Sequence, residues 1–166
     1  MFALSCPAQS YAWGKIGEES TVAKLKVGSD SSFVINTQSP YAELWMGTHV
    51  NGPAMIADGE ELLQWLHKNP NAVGKVPETY PADDLPFLFK VLSIRTALSI
   101  QSHPDKQLAK QLFASRPDIY KDPNHKPEMA IALTPFEALC GFRPVSEIQY
   151  YLGYYPELSI IVGEDG

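Results

Sequence analysis

Short apolar runs separated by turn-forming residues make up most of the chain, and they predict strands more often than helices. Runs of about four to eight residues that alternate apolar and polar side chains, or are apolar throughout, are typical of strands when Gly, Pro, Asn or Asp flank them. By this criterion we expect one or two edge strands near the N-terminus and further strands later in the chain, within residues 2–14, 87–94, 97–103, 128–133 and 136–142.

Other segments repeat apolar residues at helical spacing and predict helices at residues 18–27, 62–66, 105–113 and 143–155. Asp58 and Glu61 predict a capping box before the second helix, Asp105 is the expected cap of the third, and Pro156 is expected to end the fourth. The combination predicts a mainly β fold, an antiparallel sandwich or barrel with helical additions.

Composition narrows the class of protein. The chain of 166 residues is long enough for one domain with a core, and 45% hydrophobic with 19% charged residues is typical of a globular protein. The net charge of −6 argues against nucleic acid as the main partner, because phosphate contacts need a basic surface. The negative net charge remains compatible with a small phosphorylated substrate, since such a substrate needs only a local cluster of hydrogen-bond donors.

The expected location is the cytoplasm. Only two cysteines occur, Cys6 and Cys140, without CxxC spacing, which favours thiols in a reducing compartment over a disulfide. The N-terminal residues lack the basic leader and long apolar run of a signal peptide. No stretch approaches the roughly 20 apolar residues of a membrane span, so we expect no membrane partner.

A candidate metal site lies at residues 101–128. On the predicted strand 97–103, Gln101 and His103 share a face, and Glu128 opens the next apolar run. If these two strands are neighbours, the amide, imidazole and carboxylate converge, as in a site for Zn²⁺ or another divalent metal. The alternative is that His103 hydrogen-bonds a loop carbonyl.

His125 and Glu128 compete for the role of ligand. Pro127 disfavours a helix at this point, so the two side chains are expected on opposite sides of an extended chain. Glu128 is favoured, because an unpaired carboxylate at the start of an apolar run would be costly.

Three further side chains leave alternatives open. Trp13 suits either a core position or a surface that faces a sugar. Glu43 lies in an apolar, aromatic-rich segment, where we favour a structural carboxylate bound by backbone N–H groups or an arginine. Lys90 interrupts an apolar strand, and it either extends along an edge to solvent or directs its charge into a site.

Several sequence motifs extend over nearly the whole chain. They read QSYAWG at 9–14, PYAELWMGTH at 40–49, LPFLFKVL at 85–92, QSHP at 101–104, HKPEMA at 125–130 and ALCGFRP at 138–144. Together these motifs resemble those of the type I phosphomannose isomerases. The resemblance implies a cupin-like, jelly-roll antiparallel core that is incomplete in this chain. Residues 1–144 would be the N-terminal part of the catalytic domain, and 145–166 the truncated start of a helical insertion.

The implied activity is the zinc-dependent interconversion of mannose 6-phosphate and fructose 6-phosphate. This aldose–ketose isomerisation passes through an enediol and feeds GDP-mannose synthesis and glycosylation. The resemblance implies one Zn²⁺ per full-length chain, which is monomeric. It also implies that a fourth zinc ligand, a histidine, and a catalytic arginine belong to a part of the family's sequence that is absent here.

The resemblance also assigns roles to individual residues. Gln101, His103 and Glu128 match zinc ligands. Ser99 and Lys126 match groups near the phosphate or the reacting carbons, with Lys126 either a proton relay or a fixed charge, and His125 matches a residue connected with ring opening. The positions that line or support the pocket are matched by Trp13, Glu43 and Lys90.

Two other classes of function remain as alternatives. The chain is either an isomerase or a non-catalytic truncated fragment or isoform that retains part of the zinc site. Another metal cupin, such as an oxygenase, is disfavoured because such proteins usually present several histidines in the core motif, whereas this chain pairs one glutamine with one histidine.

Overall fold

The computed structural model describes residues 2–75, 80 and 83–163, and the chain forms two compact units. The first extends to Gln101 and the second begins at Ser102. The last residues of the predicted helical insertion, 164–166, lie outside the described residues.

The first unit combines short strands with two α-helices. Two 3-10 turns, Gly17–Glu19 and Pro70–Ala72, are also present. In chain order the elements are β1 (Leu4–Ser5), β2 (Ala8–Gln9), β3 (Lys15–Ile16), α1 (Thr21–Ser29), β4 (Pro40–Tyr41), β5 (Glu43–Met46), β6 (Met55–Ile56), α2 (Leu62–Lys68) and β7 (Phe89–Leu92).

All the strand pairs of the first unit are antiparallel, as the sequence predicts. β1 pairs with β6 and β3 with β4, while β5 lies at the centre of a three-stranded sheet in the order β2-β5-β7. In this sheet Glu43 lies opposite Gln9 on one side and Leu92 on the other, and Trp45 lies opposite Lys90. Since side chains alternate along a strand, Glu43 and Trp45 project from the same face of β5.

The core of the first unit lies on the opposite face of β5, where Leu44 is buried. The buried side chains of this cluster come from α1, α2, the strands and residues next to the strands: Cys6, Val22, Ala23, Tyr41, Leu44, Ala54, Leu62 and Leu66. Ser20 joins α1 to the core, because its fully buried hydroxyl donates to the Tyr41 carbonyl at 2.8 Å and accepts from the N–H of Ala23. This second bond makes Ser20 the N-cap of α1.

The second unit contains α3 (Lys106–Ser115), α4 (Val145–Tyr154) and α5 (Pro156–Val162). The predicted cap of α3 is confirmed, since the Asp105 carboxylate accepts hydrogen bonds from the N–H groups of Gln107 and Leu108. The predicted stop at Pro156 is correct for α4, but the same proline begins α5, where its missing N–H costs nothing at the first helical position.

Three predicted strands are wrong. Residues 97–103, 128–133 and 136–142 have no strand structure, and Met129, Leu133 and Leu139 on them are exposed. The apolar pattern is present, but a strand also needs a neighbour to satisfy its backbone N–H and C=O groups. The strand pairing recorded for the described residues is confined to the first unit.

The predicted capping box at Asp58 is also wrong. α2 begins at Leu62 after Glu61, which makes no side-chain cap. Asp58 and Gly59 instead form a turn in which the Gly59 N–H donates to the Ile56 carbonyl at 3.0 Å, with Gly59 at φ 79°. Asp-Gly is a strong turn sequence, because glycine adopts positive φ without a steric cost, and here the turn prevails over the cap.

None of the helices in the described part of the chain combines the length and the apolar composition of a membrane-spanning segment.

Candidate functional site

His103 and Glu128 meet in the second unit. The Nε2 atom of His103 lies 3.1 Å from Oε2 of Glu128, across 25 residues of sequence. His103 precedes the Asp105 cap of α3, and Glu128 belongs to the irregular segment that follows the helix. Both side chains reach solvent, so a metal ion could approach them directly.

The donor types and their separation fit a shared zinc ion. Imidazole nitrogen and carboxylate oxygen are both zinc ligands, and two ligands of one tetrahedral zinc lie about 3.4 Å apart when each bond is about 2.1 Å. The observed 3.1 Å is close to that distance. The described residues contain no cluster of three or more His, Cys, Asp or Glu side chains that could hold a metal, so a further ligand would have another side chain type or another origin.

Gln101 is the further ligand that the sequence predicts. It is the last residue of the first unit, and its amide Nε2 donates to the Ser99 hydroxyl at 3.1 Å. The amide oxygen is the atom that a metal would use, and this hydrogen bond leaves it unengaged while fixing the amide orientation.

Lys126 forms an ion pair with Asp122. The lysine Nζ lies 2.9 and 2.8 Å from the two carboxylate oxygens and also donates to the Asn124 carbonyl at 3.3 Å. Burial raises the pKa of the Asp122 carboxyl, but hydrogen bonds from Lys126 and Asn124 outweigh it, so the pKa lies below its ordinary value. These bonds hold the Lys126 ammonium in place, and Asp122 compensates its charge; the neighbouring His125 is half-buried.

A second group of polar side chains lies on the first unit, on the face of β5 that is turned away from the core. Glu43 accepts a hydrogen bond from the Trp45 indole at 2.5 Å, and Lys90 Nζ lies 3.2 Å from the same carboxylate oxygen. The lysine also lies 4.9 Å from the centre of the Trp45 ring. These three residues form the Glu43 cluster, in which a buried carboxylate has a cation and an indole N–H as its partners.

The Glu43 cluster changes two of the interpretations made from the sequence. Glu43 is indeed satisfied within the protein, but by an indole and a lysine rather than by backbone N–H groups or an arginine. Lys90 directs its charge to a buried carboxylate instead of extending along the edge of the sheet.

Trp13 lies in the turn between β2 and β3. Its ring is half-buried and stacks on Tyr11, with the ring centres 5.8 Å apart and the planes at 25°. Burial, and next the negative charge of Glu43, raise the pKa of Tyr11 above its ordinary value. This places the aromatic pair within electrostatic reach of the Glu43 cluster.

Sequence reasoning missed Trp45 and Asp122, which bind predicted site residues. The signal for Trp45 was available, since it lies two residues after Glu43 in a strand and therefore shares its face. Asp122 is four residues before Lys126, but the segment is not helical, so spacing alone gave no reason to pair them.

Comparison with known families identifies the chain. The family model described as "Phosphomannose isomerase type I, catalytic domain" matches residues 1–145. The chain belongs to the type I phosphomannose isomerase family. The resemblance seen in the sequence motifs is therefore confirmed.

Among curated members of the phosphomannose isomerase family, mannose-6-phosphate isomerase from Rattus norvegicus is 54% identical over 170 aligned positions, covering 99% of this chain and 40% of the rat protein. The Homo sapiens mannose-6-phosphate isomerase is 52% identical with the same coverage. The Schizosaccharomyces pombe enzyme is 52% identical over 167 positions. The chain thus spans about 40% of the length of the curated relatives that it matches.

Solved phosphomannose isomerase structures are similar as well. A single-residue variant from Salmonella typhimurium is 34% identical, with a TM-score of 0.59 over 75% of this chain and 32% of its own. Mannose 6-phosphate isomerase from the same organism, bound to substrate and to a zinc atom, is 34% identical, with a TM-score of 0.55 over 76% of this chain and 33% of its own.

Proposed function

We propose that this chain carries zinc ligands and part of the substrate pocket of a mannose-6-phosphate isomerase, which interconverts mannose 6-phosphate and fructose 6-phosphate. The observation that carries the proposal is the 3.1 Å approach of His103 to Glu128. The two residues come from separate motifs, QSHP and HKPEMA, and a zinc ion accounts for both of them.

Gln101, His103 and Glu128 are the proposed ligands. Bound zinc acts as a Lewis acid that polarises and orients the oxygens of the sugar. The His103 imidazole and Glu128 carboxylate supply one neutral and one anionic donor, and the Gln101 amide oxygen supplies another neutral one. A relative with bound zinc in its structure supports this choice of metal.

Lys126 and His125 are the proposed catalytic residues, and Ser99 is a proposed substrate-binding residue. Aldose–ketose isomerisation moves a proton between C1 and C2, so it needs a group that accepts and returns a proton and a group that holds the phosphate. We assign to Lys126 the fixed positive charge that binds phosphate; in the structure its partner is the Asp122 carboxylate, which holds the ammonium in place. The Ser99 hydroxyl, which already accepts from Gln101, would link the metal ligand to the substrate.

Trp13, Glu43 and Lys90 are the proposed sugar-binding residues. An aromatic face beside a carboxylate suits a carbohydrate, whose C–H groups pack on rings while its hydroxyls donate to carboxylate oxygens. The stack of Trp13 on Tyr11 and the Glu43 cluster supply these two elements on the first unit.

The remaining proposals concern the fold and setting. We place the antiparallel strand pairs in a cupin-like jelly roll, with residues 1–144 in the catalytic domain and 145–166 at the start of a helical insertion. We further propose a cytoplasmic enzyme, monomeric at full length. Similarity to the Salmonella structures supports the fold.

The decisive experiment is an isomerase assay of the purified chain on mannose 6-phosphate, with stoichiometric zinc and with a chelator. Turnover that disappears with chelator and returns with zinc would show that the chain completes its own active site and is a zinc-dependent isomerase. Zinc binding by folded protein without turnover would instead favour the alternative, a non-catalytic chain that retains part of the zinc site. Turnover that persists in chelator would contradict the zinc-dependent mechanism.

A further inference from the structure

Both protein partners of the Glu43 carboxylate bind the same oxygen. The Trp45 indole N–H and the Lys90 ammonium each lie within hydrogen-bonding distance of Oε2, at 2.5 and 3.2 Å. The described residues provide no hydrogen bond to Oε1. Because the Glu43 side chain keeps 11% of its surface exposed, Oε1 is the oxygen that remains to accept a hydrogen bond from a ligand.

Trp45 is placed to fix the orientation of this carboxylate. The residue is only 7% exposed, and its ring packs beside His49 with the ring centres 5.1 Å apart. A rigid, buried indole loses little conformational entropy when it donates a hydrogen bond, whereas the partly exposed Lys90 is a long and flexible side chain. The indole is therefore the partner that determines where Oε1 points.

We propose that Trp45 is a positioning residue that holds the Glu43 carboxylate so that Oε1 accepts a hydrogen bond from a hydroxyl group of the sugar phosphate. This rests on the proposed isomerase function and deepens it. Trp45 itself does not touch the substrate; it acts through Glu43. Lys90 neutralises the buried carboxylate from the neighbouring strand, and its place over the Trp45 ring adds a cation–π contact.

The test uses Trp45→Phe in the natural polypeptide that carries this sequence, loaded with zinc. Phenylalanine keeps an aromatic ring in the buried position and removes the N–H donor. The matched control is Trp65→Phe, because Trp65 lies in α2, where it contacts Phe2 at 4.6 Å between ring centres and takes no part in the proposed site. Glu43→Gln and the double variant complete a double-mutant cycle.

Steady-state kinetics should separate the two tryptophans. In Trp45→Phe we expect the KM for fructose 6-phosphate to rise about tenfold with little change in kcat, the pattern expected when a hydrogen bond made equally in the ground and transition states is weakened. Trp65→Phe should keep the KM of the unaltered protein. Inhibition by inorganic phosphate should be unchanged in both variants, since Oε1 binds a hydroxyl and not the phosphate.

The cycle tests whether Trp45 acts through Glu43. In the Glu43→Gln background, Trp45→Phe should change KM by less than about twofold, because the carboxylate it positions is gone. Three outcomes would overturn the inference. The first is a full tenfold effect of Trp45→Phe on KM in the Glu43→Gln background. The others are that Trp45→Phe alone has the same KM as Trp65→Phe, or that it weakens inhibition by phosphate as much as it raises KM.

Direct binding separates this inference from the proposed function. Calorimetric titration with fructose 6-phosphate measures the dissociation constant of each variant, and it does not require the protein to be catalytically active. If the unaltered protein binds the sugar phosphate but does not isomerise it, the proposed function fails and the titrations still decide the role of Trp45. If it neither binds nor isomerises the sugar phosphate, both proposals are overturned.

Discussion

The imidazole of His103 lies 3.1 Å from the carboxylate of Glu128, although the two residues are 25 positions apart and the whole of α3 lies between them. Together, α3 and the irregular segment that follows it bring the two motifs to one point. These two side chains are the central ligands of the proposed zinc site. A substitution of each can be compared with the same substitution at another histidine or glutamate.

Replacing either donor should weaken zinc binding. We expect His103→Ala and Glu128→Gln each to lower zinc affinity by at least about 10- to 100-fold, since even the loss of a group that only supports a ligand costs about that much. Competition with a chromogenic chelator measures the affinity. His67→Ala and Glu137→Gln are the matched controls, because both side chains are exposed and neither belongs to the proposed site. Equal zinc affinity in a variant and its control would contradict the ligand assignment.

The charge of Lys126 should bind phosphate. If the ammonium, which Asp122 holds in place, makes a charge-assisted hydrogen bond to the phosphate group, Lys126→Met should raise the KM for mannose 6-phosphate and the inhibition constant of inorganic phosphate together, each by about tenfold or more. Lys121→Met is the control, since that lysine instead donates to the Asp118 carbonyl at 2.6 Å. A fall in kcat with an unchanged phosphate constant would show that Lys126 relays protons instead.

Gly14 should tolerate no side chain. A Cβ at this position would lie 2.7 Å from both the backbone N and Cα of Ala42, so a methyl group would force the turn before β3 away from the residue that joins β4 to β5. We expect Gly14→Ala to lower the free energy of unfolding by about 1–3 kcal/mol, the usual cost of adding a methyl group where the packing leaves no room for it. Urea denaturation followed by circular dichroism measures it.

Gly28 supplies the matched glycine control. It lies in α1 with nothing within 4 Å of an added Cβ, so Gly28→Ala should stabilise the protein by up to about 1 kcal/mol through its higher helix propensity. Destabilisation of the same size in both variants would show that the contact with Ala42 is not the cause.

Asp30 should make stability depend on pH in the acid range. Hydrogen bonds from the Ser32 side chain, then from Lys26 and the Ser32 N–H, lower the pKa of its carboxyl from 3.8 to about 2. The folded state therefore binds fewer protons than the unfolded state between these values, and stability falls as the pH falls from about 4 through about 2.

Two measurements test this dependence. NMR titration of the Asp30 carboxyl should give a midpoint near 2 in the folded protein. Asp30→Asn should make the free energy of unfolding depend less on pH in this window. The variant should also be less stable than the unaltered protein near neutral pH. A midpoint near the ordinary aspartate value would contradict the prediction.

The sequence predicted the positions of the helices best, although the capping box expected at Asp58 does not form. Asp105 caps α3 as expected, and Pro156 ends α4, because caps and helix stops depend on hydrogen bonds and sterics within a few residues. The antiparallel direction of the strands in the first unit was also predicted, but β4, β5 and β6, which take part in every recorded pairing, were not. The later strands were not, because apolar alternation in 128–133 and 136–142 says nothing about whether a partner strand exists.

For the site, the sequence by itself determined the family and the chemical types of the groups, since motifs such as QSHP and HKPEMA are local. Only the tertiary structure decided which groups meet. It joined His103 to Glu128, gave Lys126 the counter-charge of Asp122, and brought Lys90 from β7 to the carboxylate and indole of β5. The physical reason is that strand register and the path of the loops, rather than local pattern, determine which side chains face each other, and this holds even for Asp122 and Lys126, which are four residues apart in an irregular segment.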